Sequence, residues 1–294
     1  MKYAAIDQGK TDFPVSRQCV VLGVSESGYY AWRTRPPSRR EQENIMLREA
    51  IYGLWEQYHG IYGAPRIVAD LRDQGLCVGR HRVARLMREM GIQGKMPQKR
   101  RPRTTQSDPT HTVTPNVLNR QFDTANRCDE VWLTDITYID TDEGYLYLAG
   151  VMDLFSRQIV GLAMADHLRT ELVETALDMA LHLRQPDEDL LHHSDRGSQY
   201  TSTAYQEVLT NVGITVSMSR TGNCLDNAPM ESFWATLKRE CADVVFASHA
   251  HARTAIFSYI MGFYNRERRH SALGYVSPVD FEYQHMRNLH TLPN

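Results

Sequence analysis

Residues 193–200 read HSDRGSQY and residues 226–238 read DNAPMESFWATLK. The first segment carries Asp195 just past a short apolar run, 190–194, that has strand character. The second carries Glu231 on a helix that Asn227 and Pro229 open. Thirty-five residues separate the two acids. A third acid, Asp135, lies upstream in WLTDITYI (132–139), which alternates as a strand does. Three carboxylates on such elements form the donor set with which phosphoryl-transfer enzymes hold two divalent cations. Gathered without a cation they would repel, and at least one would take up a proton. Mg²⁺ suits hard oxygen ligands and resolves that conflict. Two such ions, about 3.5–4 Å apart, activate an attacking oxygen and stabilise the leaving one.

The surrounding pattern indicates how the acids meet. Strands are expected over 131–139, 145–153 and 158–165, separated by turns at TDEG and LFSR. A helix over 170–184 follows, burying Val173, Ala176, Leu177, Ala180 and Leu181. The strand at 190–194 delivers Asp195, a helix covers 202–211, and a fifth strand covers 214–218. A meander of three strands followed by alternating strands and helices predicts a mixed α/β five-stranded sheet with flanking helices, in ribonuclease H-like order. In that order the first and fourth strands are neighbours, and a later helix crosses them. Lys238 is two helical turns beyond Glu231 and shares its face beside Met230, Phe233 and Leu237. It either holds a DNA phosphate or is one more exposed lysine. Asp140, Asp142 and Glu143 flank a glycine turn and are expected in solvent; Asp153 and Asp226 are the other acids nearby. His192 and His193 have no cysteine at zinc-ligand spacing and are expected to support the strand end.

The N-terminal half has a different character. Residues 1–40 form a helical arm in which Ser25 is placed to cap a helix carrying Tyr29, Tyr30 and Trp32, with Arg33 and Arg35 after them. It reads equally as a small DNA-binding helix pair or as a hydrophobic arm packed on a neighbour. Within 41–94, an amphipathic helix over 43–58 presents Leu47, Ile51, Leu54, Trp55 and Tyr58. Pro65 starts a second helix that Gly75 stops. A third, over 80–90, places Val83, Leu86, Met87 and Met90 on one face, with Arg80, Arg82, Arg85 and Arg88 elsewhere. This small all-α domain has the layout of a helix-turn-helix reader, whose second helix enters the major groove; the alternative is an ordinary hairpin with solvated arginines. Residues 95–121, basic and proline-rich, are expected as a linker, and 122–294 as the catalytic core with a helical tail. That tail contains a helix over 253–264, with Ala255, Ile256, Tyr259, Ile260 and Phe263 inward. Arg266, Arg268, Arg269 and His270 follow it, where a helix C-terminus already favours cations, so the cluster reads either as structural or as a DNA contact.

Hydrophobic content of 42% and charged content of 23% are those of a globular chain able to bury a core. The net charge of −2 hides a segregation: residues 1–110 carry +8 and residues 111–294 carry −10. An acidic half that handles DNA needs basic neighbours and bound cations to offset phosphate repulsion. Cys19, Cys77, Cys128, Cys224 and Cys241 are scattered without a CxxC pair, as in a reduced cytoplasm. No apolar run reaches membrane-spanning length, and the N-terminus lacks a signal-peptide pattern.

These residues resemble insertion-sequence transposases of the IS-three family, OrfB type, within the DDE transposase and retroviral-integrase superfamily. The matching pieces run in family order: LGVSESGYYAW (22–32), YGAPRI (62–67), WLTDITYI (132–139), DLFSRQIVG (153–161), HSDRGSQYTS (193–202), SRTGNCLDNAPMESFWATLK (219–238) and YNRERRHSALGYVSP (264–278). The resemblance implies Asp135, Asp195 and Glu231 as catalytic metal ligands and Lys238 as a DNA contact. It inclines Arg266, Arg268, Arg269 and His270 toward DNA as well. It also implies two Mg²⁺ ions, with Mn²⁺ able to substitute. The expected DNA partners are the element's terminal inverted repeats and the target. Self-multimerisation and an OrfA partner or OrfAB fusion are further expectations, as is a cytoplasmic, nucleoid-associated protein. Two other readings are a DNA-binding transposition regulator without catalysis and a ribonuclease H-like nuclease.

Overall fold

The computed structural model describes residues 1–96, 114–187, 189–220 and 224–291; the run Lys99, Arg100, Arg101 and Arg103 lies outside them. Three short helices, α1 (Lys2–Gly9), α2 (Val15–Leu22) and α3 (Glu26–Thr34), close over Ile6, Cys19 and Tyr29. Ser25 caps α3 by accepting from the Gly28 amide at 3.1 Å. The Tyr29 hydroxyl donates to Asp7 at 2.8 Å and so ties α3 to α1. Helix α1 had no sequence signal, because only Ile6 of KYAAIDQG is buried.

Helices α4 (Arg39–Gln57), α5 (Ala64–Asp73) and α6 (Arg80–Glu89) share a core of Leu47, Ile51, Leu54, Ile67, Leu71, Val83 and Leu86. Ser38 caps α4, so that helix begins four residues earlier than its apolar stripe suggests. Gly75, at φ +81°, provides the left-handed turn that ends α5 and redirects the chain toward α6.

Five strands, β1 (Val131–Thr141), β2 (Gly144–Asp153), β3 (Ile159–Ala165), β4 (Leu191–Ser194) and β5 (Thr215–Met218), form one sheet in the order β3-β2-β1-β4-β5. The first three are antiparallel, whereas β4 and β5 run parallel to β1. Strand alternation places Trp132 on one face, under α7 (Thr170–Arg184) and α8 (Thr203–Asn211). Leu133 and Ile139 face the other side, against α9 (Ala228–Glu240) and α10 (His249–Phe257). The sheet is thus an apolar-faced slab with helices on both sides, ribonuclease H-like in order.

Three features differ from the sequence reading. Residues 114–121 belong with the core: the Val117 and Leu118 amides donate to Ser217 Oγ, and Leu118 is buried. The helix expected over 253–264 begins at His249, and its end, 258–264, widens into a π-helical stretch. That stretch leads to Asn265, whose side chain pairs with both the amide and the carbonyl of Ile159, at 3.0 and 2.9 Å. A further helix, α11 (Pro278–Thr291), follows Ser277, which accepts from the Asp280 amide. Its apolar side chains Tyr283, Met286 and Leu289 are exposed, which is why no stripe announced it. Among the described residues no helix is long and apolar enough to cross a membrane.

Candidate active site

Strand β1 is eleven residues long, but β4 pairs with only its first part, Leu133 lying opposite His193. Two residues further along each parallel strand path come Asp135 and Asp195. The register therefore sets these carboxylates abreast where β4 ends. Asp195 is steadied by the Gly197 amide, which donates to Oδ1 at 2.8 Å. Burial raises the Asp195 carboxyl above its ordinary range, and that amide opposes the shift.

Glu231 reaches the same place from above. Asn227, placed to cap α9, instead donates its side-chain amide to the Thr134 carbonyl at 2.9 Å. One residue beyond that anchor on β1 lies Asp135. On α9, Trp234 donates Nε1–H to Asp135 Oδ2 at 3.0 Å. The indole has room because Gly150 is the β2 partner of Asp135; a Cβ there would lie 2.9 Å from the ring. Glu231, one turn before Trp234 and exposed, faces this cleft from the first turn of α9.

Asp135 retains some open surface, yet its carboxyl is packed deeply. Burial first, then the charges of Asp195 and Glu231, push it up to about 8, against hydrogen bonds from the Ile136 amide and Trp234. A carboxyl so placed keeps a proton at neutral pH unless a cation replaces it. The donors are all carboxylate oxygens, which fits a hard divalent ion. Lys238 Nζ lies 4.6 Å from the centre of the Tyr138 ring, two turns beyond Glu231 and beside β1.

The other polar residues near the strand ends have structural partners. His193 bridges Ser217, Ser219 and the Asp226 carbonyl, and His192 meets the Tyr205 hydroxyl at 2.9 Å. Burial depresses them to about 4 and about 3 respectively, so both are neutral. Asp226 receives Arg120, Arg220 and Asn116, which hold its carboxyl well below the carboxylate range. Asp153 accepts from the Asp129 and Ser156 amides and caps the β2–β3 turn. It approaches Cys128 and Glu282 closely enough to suggest a metal cluster. However, Arg184 already takes both oxygens of Glu282, at 2.8 and 3.0 Å.

The expected DNA-contacting arginines separate into two sets. On α6, Arg80 and Arg88 are exposed, Arg85 pairs with Glu89, and Arg82 is held by Asn44 at 2.8 Å and by Glu43. In the tail, Arg266 is exposed. The other three are engaged within the protein, which favours the structural one of the two readings. Buried Arg268 clamps both oxygens of Glu240 at 2.7 Å. Arg269 binds Asp70, Asp73 and the Tyr275 carbonyl. His270, half-buried beside Arg268, is pushed down to about 3 by desolvation first and then by the charges of Arg268 and Arg66.

Sequence reasoning passed over Trp234 because it followed the apolar line Met230, Phe233 and Leu237. The available signal was its position one helical turn from Glu231. Trp234→Phe keeps a ring over Gly150 and removes only the donor to Asp135. Loss of such an outer-shell partner lowers metal affinity or activity by roughly 10–100-fold. Cleavage rate titrated against Mg²⁺ should show that loss; an unchanged titration would reduce Trp234 to packing.

A sheet that sets two aspartates abreast and brings a glutamate over them is the integrase core, the scaffold of DDE polynucleotidyl transferases. The integrase core domain family matches residues 125–224, a second integrase core domain family matches 212–278, and an HTH-like domain family matches 41–100. An insertion element IS600 31 kDa protein of Shigella sonnei is 44% identical over 264 residues, covering 90% of this chain and 96% of that protein. The transposase for insertion sequence element IS904 of Lactococcus lactis is 42% identical over 249 residues, covering 84% and 98%. Transposase InsF for insertion sequence IS3A of Escherichia coli is 38% identical over 286 residues, covering 96% and 98%. The chain belongs to this family of insertion-sequence transposases.

Proposed function

We propose that this chain cleaves DNA at the ends of an insertion element and joins the freed 3′-hydroxyls to a target, with Asp135, Asp195 and Glu231 holding two Mg²⁺ ions. Mn²⁺ is expected to substitute. The observation that carries this reading is the convergence of Asp135 and Asp195 under a helix pinned to β1 by Asn227 and Trp234. When bound, the ions supply the Lewis acidity for in-line displacement at phosphorus. The protein contributes orientation. Ile136 and Trp234 each occupy one oxygen of Asp135, leaving the remaining lone pairs directed to the cleft. Gly197 does the same for Asp195. Lys238, on the Glu231 face, would hold a strand phosphate. Arg80, Arg85 and Arg88 of α6 are the side chains that would read or grip the terminal inverted repeats. The reading includes action as a multimer across paired ends, with an OrfA product as partner or fused upstream, in the cytoplasm and on the nucleoid when bound to DNA.

The test is direct. Purified chain, alone or with OrfA, is incubated with labelled element ends and Mg²⁺. Nicked and joined products are expected, with no preference for an RNA:DNA hybrid. Binding without cleavage in any divalent metal would favour a regulator, and selective hydrolysis of the hybrid would favour a ribonuclease.

A further inference from the structure

A cavity of about 500 Å³ opens on another side of α9, where the α4–α6 domain, the sheet and the tail meet. Ser232 and Arg239 line it, on a stripe turned about 100° from Glu231 at 3.6 residues per turn. Four guanidiniums reach it: Arg66 from α5, Arg157 from the β2–β3 turn, Arg239 and Arg268. Glu240 matches the last two, at 3.0 and 2.7 Å. The first two have no ion pair among the described residues. Arg66 donates Nε–H to the Arg269 carbonyl and lies over the Tyr62 ring. Arg157 Nη1 is buried without a hydrogen-bond partner. Asp153 and Asp123 act on Arg157 only through space, as Glu240 does on Arg66.

Arg157 also adopts φ +62°, a left-handed conformation few non-glycine residues take. A half-buried arginine whose Nη1 is shut away without a partner, on a left-handed backbone, opposes folding of the chain alone. Its retention is accounted for if the missing counter-charge arrives with a ligand. An anion fits, and hydroxyls of Ser232 and Thr236 add further donors to the lining.

We propose that this cavity receives a phosphodiester group of the bound DNA strand, gripped by Arg157 and Arg66. The inference rests on the strand-transferase reading and adds a site to it. Arg66 belongs to the HTH-like domain and Arg157 to the β2–β3 turn of the integrase core, so one phosphate held between them couples the DNA-reading module to the catalytic core. Ser232 adjoins Glu231 on a single rigid helix, which fixes that phosphate relative to the cleft.

The experiment measures binding of full-length chain to element-end duplex by fluorescence anisotropy in EDTA, across a salt series, with melting temperatures of the free proteins. The variants are Arg157→Asn, which tolerates the left-handed backbone, and Arg66→Gln. Each is expected to raise Kd about 10-fold on every sequence and to flatten the log–log salt slope by about one phosphate contact. Arg157→Asn is expected to melt at the same or a higher temperature than wild type, because a structural arginine would show the reverse. Unchanged affinity and slope in both variants would overturn the proposal. So would protection by inorganic phosphate that both variants lose while their DNA affinity stays intact, since that marks a small-anion site off the DNA path. Failure of wild type to bind element ends even with OrfA added would remove the transferase reading itself; wild-type binding that the variants share removes only the pocket.

Discussion

Asp195→Asn is expected to lower cleavage and joining by on the order of 10³-fold or more, beyond the roughly 10–100-fold that an outer-shell partner commands. It should also abolish thermal stabilisation by Mg²⁺. The amide keeps the side chain's volume and can still accept from the Gly197 amide at 2.8 Å. What it loses is the charge that, abreast of Asp135, is proposed to complete a cation site. The free protein should not suffer. Asp135 is pushed up to about 8 by burial and next by Asp195, so removing Asp195's charge relieves a repulsion. The expected signature is therefore split: activity collapses while the melting temperature in EDTA is equal or higher. Melting curves with and without Mg²⁺, beside cleavage assays, provide the check. Full activity in the variant would sink the assignment of Asp195, and a lower melting temperature in EDTA would mean that its carboxylate has a structural role instead.

The same comparison shows what could be read from the chain. Strands and helices of the core were legible because their apolar residues repeat at 2.0 and 3.6; helix α7, Thr170–Arg184, is the clearest case. The acids were legible through spacing and element type, but their convergence needed the register that puts Leu133 opposite His193. Gly150 and Trp234 were illegible as site residues, since their relation to Asp135 exists only across the β1–β2 pair and from helix to sheet. The internal partners of Arg268 and Arg269 were illegible for a related reason. A run of cations looks like a DNA patch until the acids opposite it are placed. Asp70 lies 199 positions before Arg269, and no local pattern connects them. Helix α11 escaped because its exposed apolar residues form no stripe.

Arg268 offers the second large effect, and it concerns stability. Glu240 is almost wholly buried at the end of α9, where Arg268 holds both its oxygens and Tyr259 donates at 2.7 Å. Burial alone pushes the Glu240 carboxyl up, but Arg268, Tyr259 and Arg239 together reverse this and hold it at about 2. Arg268→Ala would leave a buried carboxylate without its main partner, a change that costs about 3–5 kcal/mol. At roughly 2–4 °C per kcal/mol for a chain of this size class, melting should fall by about 10 °C. The pH dependence follows from the sign of the shift. A carboxyl depressed on folding contributes stability above its unfolded value, near 4.5, and loses it as pH falls toward about 2. For Glu240 that contribution is about 3 kcal/mol. Wild type should therefore lose stability steeply between pH 4.5 and 2, and Arg268→Ala should lose less over that window, having already forfeited the pairing. Replacing the whole group, Glu240→Leu with Tyr259→Phe and Arg268→Met, removes the buried charges and the orphaned hydroxyl together. Such replacements are often neutral or stabilising, so this triple variant should recover most of the lost melting temperature. If instead Arg268→Ala melts with wild type while DNA affinity falls, Arg268 acts at the DNA surface as its sequence context first suggested, and the internal pairing is not what keeps it.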